Sequence, residues 1–196
     1  MNYLAHLVLS GEHPDVRLGG FLGDWLKGPL TRHREQWREP VIEGVALHRQ
    51  IDGWIDQQPE VRQSIELLGR QYRRLAPPVI DITYDHFLAR HFQAYHRQPL
   101  DAFADEILTQ LEQHRAAMPA GAARFLARAR QFRLLEQYAD RDTFFDVVDS
   151  LRHRISKPEL LDGISTPLAQ RYRELEYNFH AVYPRLIAFA DTHRPR

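Results

Sequence analysis

The sequence predicts an all-α protein, a single-domain helical bundle, and three observations carry that reading. Leu, Ala, Arg, Gln and Glu dominate while Val, Ile and Thr are sparse. No hairpin dipeptide such as Asn-Gly sits between alternating apolar runs. Prolines fall between periodic stretches, where they punctuate helices. At 196 residues the chain is long enough for one well-buried domain and too short to require two. No repeat or shift of composition divides it, so residues 1–196 are read as one domain.

The elements follow in order. A first helix over 2–10 sets Asn2 and His6 one turn apart beside Leu4 and Leu7. Pro14 opens a helix over 15–27 that carries Gly19, Gly20, Gly23 and Asp24; Gly20, one turn before Asp24, allows close approach to the backbone. Pro40 and Pro59 open helices over 40–57 and 59–75. Pro77-Pro78 start one over 78–96, Pro99 one over 99–117, and Pro119 precedes one over 120–137. The last two run over 141–155 and 166–192, separated by Pro158 and started near Pro167, with a kink expected at Pro184.

Composition narrows the function classes. An apolar fraction of 43% and a charged fraction of 27% are those of an ordinary soluble globule. Zero cysteines exclude disulfides, thiolate metal sites and cysteine nucleophiles. No secretory leader and no apolar run long enough to cross a bilayer is visible, so a cytoplasmic protein without membrane attachment is expected. Basic and acidic residues balance at 26 each, which gives no sign of a nucleic-acid coat. Only Lys27 and Lys157 are lysine; the other basic side chains are arginine, suited to bidentate anion contacts. There is no phosphate-binding glycine loop, dinucleotide fingerprint or serine nucleophile elbow.

Polar residues on apolar helix faces carry the chemistry. In D-I-T-Y-D-H-F-L-A-R-H-F, Asp81 and Asp85 share a face with Leu88 and Phe92, because a helix turns ~100° per residue. His91 points elsewhere. In V-I-E-G-V-A-L-H-R-Q-I-D-G-W-I-D, His48 and Asp52 stack one turn apart among Val41, Val45, Ile51 and Ile55. Taken singly, each has an ordinary reading: His6 as a core histidine bonded to a carbonyl, His48 with Asp52 as an intrahelical hydrogen bond, Asp24 as a helix cap. Pooled, four helices place imidazole or carboxylate toward a core, and the carboxylates outnumber basic partners there. A divalent cation resolves that excess. Imidazole plus carboxylate without thiolate suits Mn²⁺, Fe²⁺, Mg²⁺ or Zn²⁺. Arg49 and Lys27 are candidates to contact a phosphate, though Lys27 reads better as a solvated helix residue.

The blocks M-N-Y-L-A-H-L, G-D-W-L-K-G, H-R-Q-I-D and D-x-x-x-D-H-F-L-A-R, with Y-P-R-L near the C-terminus, resemble the bacterial acyl carrier protein phosphodiesterases in order and spacing over essentially the whole chain. That family resembles a non-standard branch of the HD phosphohydrolase superfamily, which is all-α. The resemblance implies a metal-dependent enzyme, with Mn²⁺ favoured. It implies hydrolysis of the phosphodiester that joins 4′-phosphopantetheine to a serine of holo-acyl carrier protein (holo-ACP), giving apo-ACP. Its blocks fall on Asn2 and His6, on Asp24, on His48, Arg49 and Asp52, and on Asp81, Asp85 and His86. Some relatives carry a further histidine where this chain has Val8. The expected metal ligands are His6, Asp24, His48, Asp52, Asp85 and His86. Asn2, Arg49 and Asp81 are the expected catalytic residues, with Arg49 on phosphoryl charge and Asp81 orienting a ligand or assisting the attacking water, while His6 serves as ligand or proton carrier. An HD-type hydrolase of a nucleotide or another small phosphoester is the alternative, and a helical binding protein with a structural polar core is a third reading. Acyl carrier proteins are acidic, so an arginine-rich docking face is expected. Arg124 with Arg128, Arg70 with Arg73 and Arg74, and the stretch R-H-R-E-Q-W-R are the candidates.

Overall fold

The structure, a computed structural model, describes residues 1–195, the side chain of Arg154 excepted. Twelve α-helices and several short 3-10 turns make up its regular structure, and the described residues contain no strand. The helices are α1 (Tyr3–Leu9), α2 (Pro14–Leu22), α3 (Glu39–Ile55), α4 (Pro59–Leu67), α5 (Ala76–Arg90) and α6 (Phe92–Tyr95). They continue with α7 (Leu100–Glu112), α8 (Ala120–Gln131), α9 (Leu134–Gln137), α10 (Arg141–Ser150), α11 (Ser165–Gln170) and α12 (Tyr172–His193). The all-α expectation holds, and the helices open at or beside the prolines because a proline in the first turn has no N–H to waste.

Several expected helices are shorter or divided. The stretch 15–27 ends at Leu22, which leaves Asp24 in the turn after it. Gly69, at φ +98°, stops α4 before residue 75. The helix expected over 78–96 breaks at His91, and the one over 120–137 breaks at Arg133, which takes a left-handed conformation with φ 50°. At the other extreme, α12 continues through Pro184.

The core runs the length of the molecule. From α1 it takes Leu4, Ala5, Leu7 and Leu9; from α5 Tyr84, Phe87 and Leu88; from α12 Phe179, Tyr183 and Leu186. Helix α12 packs on α3, α4 and α5 and so braces the elements that bear the polar residues. Helices α2 and α3 touch backbone to backbone. A Cβ at Gly44 would lie 2.3 Å from the Val16 carbonyl oxygen, and one at Gly19 would lie 2.1 Å from that of Val41. Glycine at both positions therefore sets the closeness of this pair, and with it the distance from the end of α2 to His48.

Candidate active site

Three side chains from two helices converge. His6 projects from α1, and His48 and Asp52 project from one face of α3, one turn apart. The His6 Nε2 atom is 3.0 Å from Asp52 Oδ1, and His48 Nε2 is 3.2 Å from Asp52 Oδ2. The two imidazoles stack with centroids 3.6 Å apart at 15°. Each of the three residues offers a ligand atom within 4.8 Å of the other two. The imidazoles are almost wholly buried, at 2% and 4% exposure, while Asp52 is 39% exposed, so the carboxylate forms the mouth.

Backbone contacts fix the orientation of His48. Its Nδ1 lies 2.8 Å from the Gly20 carbonyl oxygen, which only accepts, so Nδ1 carries a proton. In the neutral ring the Nε2 lone pair then faces Asp52, with Asp24 Oδ1 at 3.9 Å. Beneath the ring lies Gly23, where a Cβ would come within 2.2 Å of His48 Cγ. Gly20 serves in the same way for its neighbour, since Ser10 Oγ occupies the space of its absent Cβ. The role of Gly23 went unread in the sequence, although its place beside Asp24 in G-D-W was the available signal.

His6 is the unusual member. Neither of its ring nitrogens has a hydrogen-bond partner, although both are buried, and Asp52 Oδ1 is likewise unpartnered. The 3.0 Å separation of Nε2 and Oδ1 is short, yet the groups are not aligned for a hydrogen bond. Burial, then the neighbouring His48, push the His6 pKa down to about 4, so the ring is neutral near pH 7. For Asp52 burial opposes ionisation, but His48, His6 and the Met1 ammonium together hold its carboxyl well below the usual range. Two imidazole nitrogens and a carboxylate, offered within 4.8 Å of one another, fit a divalent metal in their donor chemistry. Three protein ligands leave positions for water and substrate.

The other expected residues divide. Asp24 lies at the rim, 45% exposed, with Lys27 Nζ 3.6 Å away. Asp81 accepts a hydrogen bond from the Met1 ammonium at 2.8 Å, and the same ammonium is 3.6 Å from Asp52. Burial disfavours that charge, but Asp81 and Asp52 outweigh it and hold the group at about 11. Asn2 reaches away from the cluster to the Tyr138 hydroxyl at 3.5 Å. Arg49 donates to the Leu26 carbonyl at 2.6 Å and so anchors the turn that carries Asp24. The bond engages one of the five N–H donors of Arg49.

Asp85 and His86 stand outside the cluster. Asp85 is fully buried, and its oxygens accept from the backbone N–H groups of Asn2 at 3.3 Å, Leu4 at 2.7 Å and Ala5 at 3.2 Å. It caps the N-terminus of α1 from a distant helix, and the structure does not bring this expected ligand to the His6–His48–Asp52 cluster. Burial pushes its carboxyl up to about 7 against the pull of those donors. His86 donates from Nδ1 to the Tyr138 carbonyl at 2.6 Å, pairs through Nε2 with the Tyr172 hydroxyl at 2.5 Å, and stacks on Phe144 at 4.5 Å. Both nitrogens are thus engaged within the fold, the Nε2 lone pair by the Tyr172 hydroxyl. Burial lowers its pKa to about 4.

Comparison with known proteins agrees with the resemblance drawn from the sequence blocks. The family model described as acyl carrier protein phosphodiesterase matches residues 1–186. The chain is 30% identical over 193 residues, 98% of each chain, to an acyl carrier protein phosphodiesterase of Pectobacterium atrosepticum. It is 32% identical over 194 residues, 97% of each chain, to one of Salmonella heidelberg. No solved structure matches.

Proposed function

Because the chain belongs to the acyl carrier protein phosphodiesterase family, we propose that it removes 4′-phosphopantetheine from holo-ACP by metal-assisted hydrolysis of the phosphodiester at the His6–His48–Asp52 cluster. The observation that supports the metal is a pair of buried atoms that make no hydrogen bond, His6 Nε2 and Asp52 Oδ1, 3.0 Å apart and out of hydrogen-bond alignment, with the Met1 ammonium no nearer to Oδ1 than 3.6 Å. Buried polar groups are nearly always paired, and a cation gives both a partner at once. His6, His48 and Asp52 would hold it, with Asp24 closing in from the rim. An imidazole on one helix with a His/Asp pair on another fits a non-standard HD-type centre. The bound metal, Mn²⁺ by the resemblance and Mg²⁺ or Fe²⁺ by the same donor set, supplies a Lewis acid for the phosphoryl group and an acidified water.

The chain's own residues do the rest. Gly20 and Gly23 fix the His48 ring, and His6 stays neutral through burial. Asp81, at the mouth beside Asp52, is placed to accept a proton from the attacking water. Lys27, exposed next to Asp24, is a cation available to an incoming phosphate at that rim. Docking is supported by the position of α8. Its Gly121 packs under the Trp25 ring, and its Phe125 stacks on Tyr3 at 4.0 Å, so α8 flanks both the Asp24 turn and α1. Arg124 and Arg128 are exposed on that helix and suit an acidic carrier protein.

The test is the mass of the carrier protein. Incubated with this protein and Mn²⁺, holo-ACP is expected to lose the mass of phosphopantetheine, and chelator or Asp52→Ala to stop the loss while helical circular dichroism is kept. Unchanged holo-ACP beside hydrolysis of a small phosphodiester overturns the substrate. Near-normal turnover by Asp52→Ala overturns the site.

A further inference from the structure

We propose that His91, Glu176 and His180 form a second divalent-metal site, of a kind suited to Zn²⁺, where the junction of α5 and α6 meets α12. None of the three belongs to the first cluster. Glu176 and His180 lie one turn apart on α12, so both project from one face, and His91 approaches them from the break between α5 and α6. The His91 Nε2 atom is 2.7 Å from Glu176 Oε1, and the two imidazole rings meet edge to face with centroids 4.7 Å apart. All three offer ligand atoms within 4.8 Å of one another. A tetrahedral zinc site with Zn–N and Zn–O near ~2.0–2.1 Å has ligand atoms roughly 3.3 Å apart. His91 and Glu176 are already closer than that, and small rotations of partly exposed side chains bring in His180.

Tyr95 provides the orienting contact such a site needs. Its hydroxyl lies 2.6 Å from His180 Nδ1. A proton on Nδ1, donated to that oxygen, leaves Nε2 as the ligand atom, which is the usual way an outer partner selects the metal-binding tautomer. A simple ion pair accounts for His91 with Glu176 and leaves the approach of a second imidazole to the same pair unexplained. Two imidazoles, one carboxylate and an outer hydroxyl match the His₂Glu donor set of zinc, with a fourth position for water. The consequence is mechanical: a metal here ties the end of α5 to α12, the helix that braces the core.

Zinc stoichiometry after gel filtration and the visible spectrum of the Co²⁺-substituted protein test this, with no assay of activity. The wild-type protein is expected to hold two equivalents of Zn²⁺. Glu176→Gln and His180→Gln should each hold one, and each should lose the tetrahedral Co²⁺ bands of this site. Asp52→Ala should also hold one equivalent and keep those bands. If both α12 variants retain the wild-type stoichiometry and spectrum, the second site is overturned. Failure of the first site looks different: the wild type and Asp52→Ala would both hold a single equivalent, and His180→Gln would hold none. Two variants on partly exposed positions, checked by circular dichroism, separate loss of metal from loss of fold.

Discussion

At the residue scale, Gly23 decides whether His48 can sit where it does. A methyl group there would lie 2.2 Å from Cγ and 2.4 Å from Nδ1 of the ring, so Gly23→Ala must move the imidazole and weaken its bond to the Gly20 carbonyl. Outer contacts of this type typically govern metal affinity by about 10–100-fold. Mn²⁺ titration followed by paramagnetic resonance is expected to show a loss of that size, with the far-ultraviolet spectrum intact. Wild-type affinity would mean that the ring's position does not matter. His86 obeys a different logic. Buried and neutral, it has a folded-state pKa near 4 against 6.5 unfolded. The unfolded chain therefore takes up the proton first as pH falls, so the stability His86 contributes is complete above pH 6.5 and lost on the way down to about pH 4. The gap in unfolding free energy between wild type and His86→Gln should narrow across that window, by at most about 3 kcal/mol. Urea unfolding at pH 7 and pH 4.5 measures it, and a constant gap would show that His86 titrates alike in both states.

At the element scale, Asp85 makes α5 the cap of α1. Removing its carboxylate in Asp85→Ala leaves two buried N–H groups, of Leu4 and Ala5, and the part-buried one of Asn2 without their acceptor. One unsatisfied buried group costs about 1–3 kcal/mol, so a loss on the order of 3 kcal/mol or more is expected in urea unfolding. Asp85→Asn keeps an acceptor oxygen and should lose less. A wild-type unfolding curve for Asp85→Ala would remove the cap from the account. The same residue shows where the sequence was readable. Spacing put Asp85 on a buried face and demanded compensation. The compensating group is the helix end at Leu4, 81 positions away, and no local pattern encodes it. The partners of His86, the Tyr138 carbonyl and the Tyr172 hydroxyl, lie 52 and 86 positions away. His48 with Asp52 was legible because both lie on one helix four residues apart, and His6 because its face was apolar. Helix starts were legible through their prolines. The breaks at His91 and Arg133 were not, since each interrupts a helix-forming stretch at a point that no glycine or proline marks.

At the scale of the whole molecule, the charges cancel, with 26 basic and 26 acidic residues, so no global field draws an acidic partner to the mouth of the site. Attraction must come from a local patch. The candidates are no longer equivalent once they are placed. In the stretch after the Asp24 turn, Arg34 is paired with Glu39 and Arg38 with Asp15. The group Arg70, Arg73 and Arg74 flanks Tyr72 in sequence, and the Tyr72 hydroxyl donates to the Asp162 carbonyl. Arg124 and Arg128 form no ion pair among the described residues and stand on the helix that touches Trp25 and Tyr3. Their contribution should therefore be to encounter with the carrier protein and not to the chemical step. In low salt, Arg124→Glu with Arg128→Glu is expected to lower kcat/KM on holo-ACP by about tenfold, at the lower end of electrostatic steering effects. That difference should fade as salt rises toward 1 M, where the screening length shrinks from ~10 Å to ~3 Å. Hydrolysis of a small phosphodiester should not change in either condition, because it needs the cluster but not the helix. Charge reversal at Arg70, Arg73 and Arg74 is the matched control. If that variant, and not the α8 variant, loses rate on holo-ACP, the carrier protein docks at the Arg70–Arg74 segment and α8 is not its docking helix.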